Sequence, residues 1–307
     1  MDLPLVGIIV LNWNGWRDTI ECLESLFQIS YPDFRVIVVD NGSTDDSVDI
    51  IRRWGKENDG HLEIIELNEN LGFARANNVG IKYAFSHYDP EYILILNNDT
   101  TVERDFLKAM VSEIKRLPNA ALCAPQVKDY YRKKLWQKPI KHRLNTLTYL
   151  LFATQFYHFT TKFMRYDLTR PSQIYEAPGC CLLIGREAFE RIGLFDENTF
   201  LGWEEFIIAE RLRQHGYRSY FVPRSMIYHK VGQATARIGS LAKIRIFSQS
   251  EAYFQTKILK FNRVQIMIVK LVRFLIYAFM LLLEKDRGRA LPGLFRLMFC
   301  ENKEVER

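Results

Sequence analysis

An aliphatic run that stops abruptly at amide and carboxylate side chains constrains this fold more than any other feature. Residues 92–96 (YILIL) have the length and composition of a strand buried on both faces, and Asn97, Asn98 and Asp99 follow immediately. Open α/β sheets bind ligands at the carboxyl ends of their strands. Mg2+ takes oxygen ligands and often uses only one or two protein carboxylates plus substrate phosphates. Taken alone, the stretch is explained equally well as a polar loop that closes a core strand.

Two earlier apolar runs end in a similar way. Residues 6–11 run into the amide-rich residues 12–15 (NWNG), and residues 34–39 run into Asp40. A helical pattern over residues 19–27 lies between the two runs, which predicts a βαβ unit with parallel strands and a right-handed crossover. Asp40 is at the last strand position, where its carboxylate could accept a hydrogen bond from the ring N3–H of uracil or thymine.

The next predicted strand, residues 64–67, leads into a segment with small residues at every fourth position. Gly72, Ala76 and Gly80 would share one helix face, which lets a backbone or a phosphate come close. Arg75 could pair with a diphosphate. Tight helix packing is the commoner reason for this spacing.

The middle of the chain changes in character. A helix is predicted over residues 102–117, a strand over 120–125, and a final edge-type strand over 217–223. Residues 128–170 are first basic and aromatic and then rich in Phe, Tyr and Leu, without strand alternation. We interpret them as an insertion, part loop and part helix, on the acceptor side of any site; a solvated basic loop is the alternative.

Two later features carry titratable groups. Glu204 and Glu205 open a helix, where their role could be restricted to complementing the helix dipole. Adjacent side chains do not share a helix face, so one of the pair can cap or orient while the other points into a cleft. His229 is an isolated histidine, and such a residue is more often structural than a ligand.

Charge and hydropathy set the end of the chain apart. Of the formal charge of +6, residues 241–307 contribute 13 Lys or Arg against 6 Asp or Glu, a net of +7, which leaves residues 1–240 at −1. Residues 264–283 are apolar apart from three positions, and each central charge costs a spanning helix about 2.5–3.5 kcal/mol. The pattern favours an interfacial helix, or a helix pair packed on the main domain, over a membrane span. An anionic membrane surface is favoured over nucleic acid as the partner.

Cysteine usage and the N-terminus bear on the compartment. The five cysteines are odd in number and lack metal-ligand spacing, which predicts a reducing compartment. The first residues lack a basic n-region and a small-residue cleavage site, so no signal peptide is predicted. Residues 294–300 could add a second apolar anchor. We therefore predict a cytoplasmic protein attached peripherally to the inner face of the cell membrane.

Several linked motifs, in this order, resemble those of the family-2 glycosyltransferases with the GT-A fold, over about residues 5–235. These motifs are VVDNGSTD at residues 38–45, NLGFA at 70–74, NND at 97–99, the block from Gly179 to Asp196, and WEE at 203–205. The resemblance implies a Rossmann-like, mostly parallel sheet flanked by helices. It also implies transfer of a sugar from a nucleotide diphosphate donor, with inversion at the anomeric carbon and with Mg2+ or Mn2+.

The resemblance assigns the donor side of the site. It makes Asp40 a base-recognition residue. It places NND where the family has its DXD-type metal motif, although only the last of these three residues is a carboxylate here. The other residues that it assigns to nucleotide and donor binding are Asn12, Asn14, Gly72, Asn77, Asn97 and Asn98.

The resemblance also assigns the metal and acceptor sides. Metal binding depends on Asp99, with the donor diphosphate, waters and His229, which matches a histidine that some members use as a ligand. Glu205 stands at the position of the catalytic base, where many members have Asp. Glu204 and Trp203 are assigned to positioning of the acceptor.

These assignments predict an α/β glycosyltransferase domain over residues 1–240, which includes the 128–170 insertion, followed by a helical membrane-associating extension over 241–307. The motif pattern is rhamnosyltransferase-like, which favours a dTDP-linked deoxyhexose, with a UDP-sugar as the other candidate, and a lipid-linked or polysaccharide acceptor. A catalytically inactive scaffold of the same fold is an alternative, for which NND is the argument. A nucleotidyltransferase would need a Gly-rich phosphate loop with a basic residue after the first strand, where this chain has residues 12–15.

Overall fold

The computed structural model describes residues 3–58, 62–137, 139–143, 149, 167–230, 239–283, 294, 295 and 298. The chain divides into two units. The first comprises residues 1–142, 167–200 and 204–234, and the second comprises residues 143–166, 201–203 and 235–307. The predicted boundary at residue 240 and the predicted insertion over 128–170 stay predictions, and much of that insertion, residues 144–148 and 150–166, lies outside the described residues.

The first unit is built around a single sheet with helices beside its strands. Its strands are β1 (Val6–Asn12), β2 (Phe34–Asp40), β3 (Leu62–Glu66), β4 (Tyr92–Asn97), β5 (Thr100–Val102), β6 (Ala120–Asp129), β7 (Leu135–Gln137), β8 (Ser172–Ile174), β9 (Cys181–Gly185) and β10 (Arg218–His229). Its helices are α1 (Trp16–Leu26), α2 (Ser47–Glu57), α3 (Phe73–His87), α4 (Phe106–Arg116), α5 (Arg186–Ile192) and α6 (Glu204–Gln214).

The sheet order within the described residues is β3-β2-β1-β4-β9-β6-β10-β5, with β7 on β6 and β8 on β10. Strands β1, β2, β3, β4, β6 and β10 run in one direction, and β5, β7, β8 and β9 run against them. This is the mixed, mostly parallel α/β sheet flanked by helices that the sequence predicts, and the fold-class prediction is confirmed.

The central strands form because their side chains are apolar on both faces. Val10, Val38 and Leu96 contribute to one core cluster, and Ile9 and Ile95 contribute to the cluster on the other face. Each such side chain stabilises the fold by about 1.5–3 kcal/mol when it is buried. The polar residues that follow are therefore delivered together to one edge of the sheet.

Strand β5 is a difference between the sequence prediction and the structure. The predicted helix over 102–117 begins only at Phe106, and Thr100–Val102 instead pairs antiparallel with the end of β10. Strand β10 is longer than predicted and lies between β6 and β5 rather than at an edge. Pro223, which lacks an N–H, falls in the register shift between Val222 and Met226, so the strand continues past it.

The second unit contains α7 (Ser240–Tyr253), a π-helical turn (Phe254–Ile258) and α8 (Arg263–Leu283). Phe274 and Tyr277 of α8 pack against a small core of Ile244, Leu294 and Met298. The Arg273 guanidinium of α8 forms an ion pair with Glu251 of α7, with Nη2 and Oε1 2.9 Å apart. Among the helices that the structure describes, none is both long and apolar enough to cross a membrane.

Candidate active site

The carboxyl ends of β1, β2 and β4 lie side by side. Asn12 is the register partner of Asp40, and Leu11 is the partner of Asn97. Three of the residues predicted for the site therefore come from neighbouring strand ends. The physical cause is the parallel register, which brings the last residue of each strand to the same edge.

Asp40 is held in place by its own turn. Its Oδ2 accepts hydrogen bonds from Asn12 Nδ2 and Ser43 Oγ, both at 2.7 Å, and its Oδ1 accepts one from the Ser43 backbone N–H at 2.8 Å. The residue is 2% exposed. Because a carboxylate has about four lone-pair positions, about one is left for a further donor. Recognition of a base by Asp40 stays a prediction.

Asn12 is buried against Asp40 and is not exposed to solvent. Its side chain is fully buried, and Nδ2 donates to Asp40 and to Ser43 Oγ. Its Oδ1 accepts a hydrogen bond from Thr19 Oγ1 at 2.8 Å. The amide thus orients the Asp40 carboxylate, and its predicted place beside the nucleotide stays a prediction.

Asn14 joins the loop after β1 to the loop after β2. It adopts a left-handed conformation with φ of 51°, which Asn tolerates better than most residues. Its Oδ1 accepts hydrogen bonds from the backbone N–H groups of Thr44 at 2.7 Å and Asp45 at 3.3 Å. Its role toward a nucleotide also stays a prediction.

Asn98 has a structural reason to be an amide instead of a carboxylate. Its Nδ2 donates to Thr19 Oγ1 at 2.9 Å and lies 3.4 Å from both Asn12 Oδ1 and the Gly15 carbonyl oxygen. All three neighbours present acceptor oxygens, which an amide nitrogen satisfies and a carboxylate would repel. We call the hydrogen-bonded series Asp40, Asn12, Thr19 and Asn98 the strand-end network. The sequence reasoning missed Thr19, whose only signal is a hydroxyl just after the 12–15 turn.

Replacing this amide by a carboxylate should destabilise the protein. We expect Asn98→Asp to lower the free energy of unfolding by about 1–3 kcal/mol, because it leaves acceptors of the strand-end network without a donor. Asn97→Asp is the matched control, since the Asn97 side chain makes no hydrogen bond to another described residue. Urea unfolding of both variants measures the difference. Equal stability of the two variants would contradict a stabilising role of the Asn98 amide in the strand-end network.

Asp99 and His229 form a buried pair. His229 Nε2 lies 3.0 Å from Asp99 Oδ1, and the two side chains are 7% and 8% exposed. Two backbone features hold them together, the pairing of His229 with Thr100 and the hydrogen bond from the Lys230 N–H to the Asp99 carbonyl oxygen at 2.9 Å. The structure therefore brings together the two residues predicted to bind a metal.

The ring of His229 favours its charged form. Burial disfavours the charged ring, but the Coulombic interaction with Cys180 and the hydrogen bonds to Asp99 and Cys180 outweigh burial and raise its pKa to about 10. In the absence of a cation the His229 ring is thus protonated at neutral pH. Cys180 had no assigned role in the sequence, where it appeared only as one of two adjacent cysteines.

The donor set fits a divalent cation that takes most of its ligands from the substrate. Among the described residues, no three His, Cys, Asp or Glu side chains are grouped to hold a metal. Asp99 and His229 alone offer one carboxylate oxygen and one imidazole nitrogen, which suit Mn2+ when the donor phosphates and water complete the shell. Metal binding by this pair stays a prediction.

Lys230 anchors the end of β10 to α1. Its Nζ lies 2.6 Å from Asp18 Oδ1 and 2.5 Å from Glu21 Oε2, and the Tyr130 hydroxyl donates to the same Glu21 carboxylate. Burial lowers the pKa of Lys230, but these two acidic partners outweigh it and raise the pKa above its ordinary value. The ammonium is therefore already paired and fixes the strand end that bears His229.

Glu205 sits at the start of α6 and is half-buried. It faces the turn before β9: a Cβ atom built on Gly179 would lie 3.6 Å from Glu205 Cδ and 3.7 Å from each carboxylate oxygen. Burial raises the pKa of Glu205. The preceding residue, Glu204, is 3% exposed, so the two adjacent carboxyl groups have different environments.

Glu176 is a further acid near Glu205 that the sequence reasoning did not single out. It is 6% exposed. Burial, together with the charge of Glu205, raises its pKa well above the ordinary value of a carboxyl group. The available signal was an acidic residue three positions before the glycine of a Pro-Gly turn, which by itself carries no function.

Gly72 and Asn77 have roles in packing α3. Gly72 has φ of 81°, and a Cβ atom there would lie 2.3 Å from the Phe200 carbonyl oxygen, which accepts the Phe73 N–H at 2.8 Å. Glycine is thus required by the close approach of residue 200. Asn77 is fully buried and donates to the Phe73 carbonyl oxygen at 2.9 Å, while its Oδ1 has no partner among the described residues. Their place in the donor pocket stays a prediction.

Trp203 belongs to the second unit, where it is 8% exposed. Its ring stacks on Tyr149 with centroids 5.7 Å apart and on Phe254 with centroids 5.2 Å apart. The Tyr149 hydroxyl in turn donates to Glu251 at 2.8 Å. The predicted roles of Trp203 and Glu204 in positioning an acceptor stay predictions.

Comparison with known proteins gives a family match and distant relatives. The sequence profile described as Glycosyl transferase family 2 matches residues 7–193. The chain is 22% identical over 243 residues to poly-beta-1,6-N-acetyl-D-glucosamine synthase of Staphylococcus epidermidis, which covers 78% of this chain and 53% of that protein. It is 24% identical over 248 residues to N-acetylglucosaminyl-diphospho-decaprenol L-rhamnosyltransferase of Mycobacterium tuberculosis, which covers 76% of this chain and 78% of that protein.

The fold also matches solved structures. The crystal structure of GalNAc-T7 with UDP, GalNAc and Mn2+ superposes with a TM-score of 0.61 and 16% identity, covering 83% of this chain and 50% of that one. This likeness supports the fold prediction. The chain spans about half the length of the first relative named above.

Proposed function

Because this chain belongs to glycosyl transferase family 2, we propose that it transfers a sugar, with inversion at the anomeric carbon, from a nucleoside diphosphate donor to a hydroxyl group of a lipid-linked or polysaccharide acceptor. The observation that carries the proposal is the buried Asp99–His229 pair, with Nε2 and Oδ1 3.0 Å apart, beside the strand ends that bear Asp40. A carboxylate, an imidazole and a diphosphate together form a reasonable shell for Mn2+ or Mg2+.

Glu205 is the proposed general base. The acceptor O–H bond breaks and its proton passes to the Glu205 carboxylate, while the acceptor oxygen bonds to the anomeric carbon and the bond from that carbon to the diphosphate breaks. The raised pKa of Glu205 suits this role, because a base is most effective when its pKa lies near the working pH. A divalent cation, when bound by Asp99 and His229, would neutralise charge on the leaving diphosphate.

Asp40 supports a uracil or thymine nucleotide as the donor base. Its carboxylate has about one acceptor position left, and the N3–H of either base is a donor. Two of the compared proteins bear on the donor. The named L-rhamnosyltransferase favours a deoxyhexose, for which we propose a dTDP-linked donor. The structural neighbour GalNAc-T7 was solved with UDP, which favours a UDP-sugar. We propose dTDP-rhamnose first and a UDP-sugar second, in the assembly of a cell-surface glycan.

A thermal-shift panel tests the proposed donor. The protein is titrated with dTDP-, UDP- and GDP-sugars, each with Mn2+, with Mg2+ and with chelator. A ligand at 100 times its dissociation constant stabilises by about 2.7 kcal/mol, so a dTDP- or UDP-sugar should raise Tm only with the cation. Binding without donor hydrolysis or transfer would support the inactive scaffold. No metal-dependent shift with any donor would overturn the proposal.

The exposed face of α8 supports a membrane partner. Successive residues of a helix are rotated by about 100°, so one side of α8 carries an apolar stripe. The opposite side packs on the rest of the second unit. The stripe residues, between 43% and 68% exposed, are Val264, Met267, Ile268, Leu271, Leu275 and Phe279. The segment 241–307 has a net charge of +7, which complements anionic lipid. We propose peripheral attachment to the inner face of the cell membrane through this stripe.

Vesicle flotation tests this attachment. We expect the protein to float with phosphatidylglycerol vesicles. In the double variant Leu271→Asp/Leu275→Asp the vesicle-bound fraction should fall by about tenfold or more, because each leucine side chain buried in the membrane contributes about 1.5–3 kcal/mol. Leu168→Asp, at an exposed leucine outside α8, is the matched control. If the unaltered protein fails to float at low salt, membrane attachment through the stripe is excluded. If the unaltered protein is instead a dimer and the double variant is a monomer, the stripe binds a second copy of the chain.

A further inference from the structure

Glu176 is fixed in place by its backbone. Its N–H donates to the Ile140 carbonyl oxygen at 3.1 Å, and its own carbonyl oxygen accepts the Ile140 N–H at 2.9 Å. The residue follows β8 and precedes the turn that enters β9. Its main chain is therefore fixed at this position, and the residue is 6% exposed.

The segment around Glu176 is tied to the helix that bears Glu205. The Tyr175 hydroxyl donates to Glu210 Oε2 of α6 at 3.2 Å. Gly179, in the turn after Glu176, lies against the Glu205 carboxylate, with 3.6 Å between a Cβ atom built there and Cδ. Two contacts thus hold the chain on either side of Glu176 against α6, and the two carboxyl groups occupy one region of the fold.

Among the described residues, no cation is paired with either member of this carboxyl pair. Within the part of the chain that the structure describes, neither Glu176 nor Glu205 forms an ion pair with Lys, Arg or His. Arg213 of α6 is engaged by Glu210, with Nη2 and Oε1 2.8 Å apart. Tyr175, the buried Glu204 and Glu210 are further titratable groups on the segments that carry the pair. Two carboxylates without a cation in a buried region do not both ionise at moderate pH.

The two members of the pair differ in environment. Glu176 is nearly fully buried, whereas Glu205 is half-buried. Burial and the charge of Glu205 both raise the pKa of Glu176, against a smaller lowering by the Ile140 backbone. Burial also raises the pKa of Glu205. The more buried member is therefore the one that keeps a proton.

We propose that Glu176 is a positioning residue that stays protonated beside Glu205, so that the pair carries one negative charge and carries it on the base. The inference rests on the proposed transferase function for its consequence. When the acceptor hydroxyl gives its proton to Glu205, both members become neutral carboxylic acids. The negative charge that Glu205 loses on protonation appears on the leaving nucleoside diphosphate. Because Glu176 is neutral, no second buried negative charge lies beside the attacking oxygen.

Infrared difference spectroscopy tests the protonation without any substrate. At neutral pH, Glu176→Gln should lose the C=O stretching band of one protonated carboxylic acid, and the exposed control Glu187→Gln should not. In Glu205→Gln the same band should disappear at lower pH than in the unaltered protein, because the charge that disfavours ionisation of Glu176 is gone. A spectrum without a lost band, or an unmoved midpoint, would overturn the proposal.

Kinetics supply the second readout once a donor is known. Glu176→Gln, which resembles the neutral acid, should lower kcat by about threefold, and Glu176→Ala by about thirtyfold, with the donor KM unchanged in both. An equal loss in the two variants would mean that Glu176 acts as an anion and would overturn the proposal. The infrared result is independent of transfer, so a confirmed band with no transfer from any donor would reject the transferase function alone.

Discussion

Glu205→Gln is expected to lower kcat by about 10²–10⁴-fold and to leave the metal-dependent affinity for the donor within about twofold of the unaltered protein. The amide has nearly the same shape as the carboxylate but cannot take the acceptor proton. Donor binding is unaffected because the residues proposed to contact the donor lie at the strand ends rather than at the start of α6. Steady-state transfer assays and donor titrations on the same preparation measure the two quantities.

Two further variants sharpen this experiment. Glu187→Gln makes the same chemical change on α5, where the side chain is 80% exposed, and should retain full activity. Glu205→Asp keeps the acid and shortens it by one methylene, so it should retain part of kcat. A Glu205→Gln enzyme with normal kcat would show that the base is another residue, and weakened donor binding would place Glu205 on the donor side.

Asp99→Asn is expected to weaken metal-dependent donor binding by about 100-fold or more. The loss follows because the variant removes the carboxylate of the proposed metal pair, and even residues one step removed from a metal typically contribute 10–100-fold. Asp49→Asn is the matched control, since that side chain is 79% exposed and paired across one helix turn. Isothermal titration with Mn2+ and donor measures the difference. Unchanged affinity in Asp99→Asn would remove the metal role from this position.

The same variant has a pH signature in metal-free buffer. The folded-state pKa of His229 is raised from 6.5 to about 10, and the hydrogen bond and charge of Asp99 are among the causes. A raised pKa stabilises the folded state fully below pH 6.5, and this stabilisation is lost as the pH rises toward 10. The stability advantage of the unaltered protein over Asp99→Asn should therefore shrink between about pH 6.5 and 10. Urea unfolding across that range measures it.

The parallel core was accessible from sequence because burial on both faces leaves a local trace. Residues 6–11, 34–39 and 92–96 are continuous apolar runs of strand length, and each stops at a polar residue that water or a ligand must satisfy. Parallel register then places those polar ends at one edge of the sheet. This pattern brings Asp40 and Asp99 to one edge of the sheet, and the family resemblance then predicts their roles in a site there.

The chemistry of individual amides was not accessible in the same way. Asn98 reads as a departure from a metal motif, and only the positions of Thr19 and the Gly15 carbonyl oxygen explain why a donor is needed there. Gly72 similarly reads as a donor-pocket residue, although its close neighbour is the Phe200 carbonyl oxygen. Hydrogen-bond partners far away in sequence decide such cases.

The sequence by itself determined the α/β fold class and the family, since each depends on local composition or on linked motifs, and it predicts a site at the strand ends. Only the tertiary structure decided which titratable groups meet. Asp99 faces His229 because β5 pairs with the last residues of β10, and Glu205 meets the segment of Glu176 because the Gly179 turn packs against α6. A charge interacts with whatever lies within a few ångströms of it, and that distance depends on the packing of the whole first unit rather than on position along the chain.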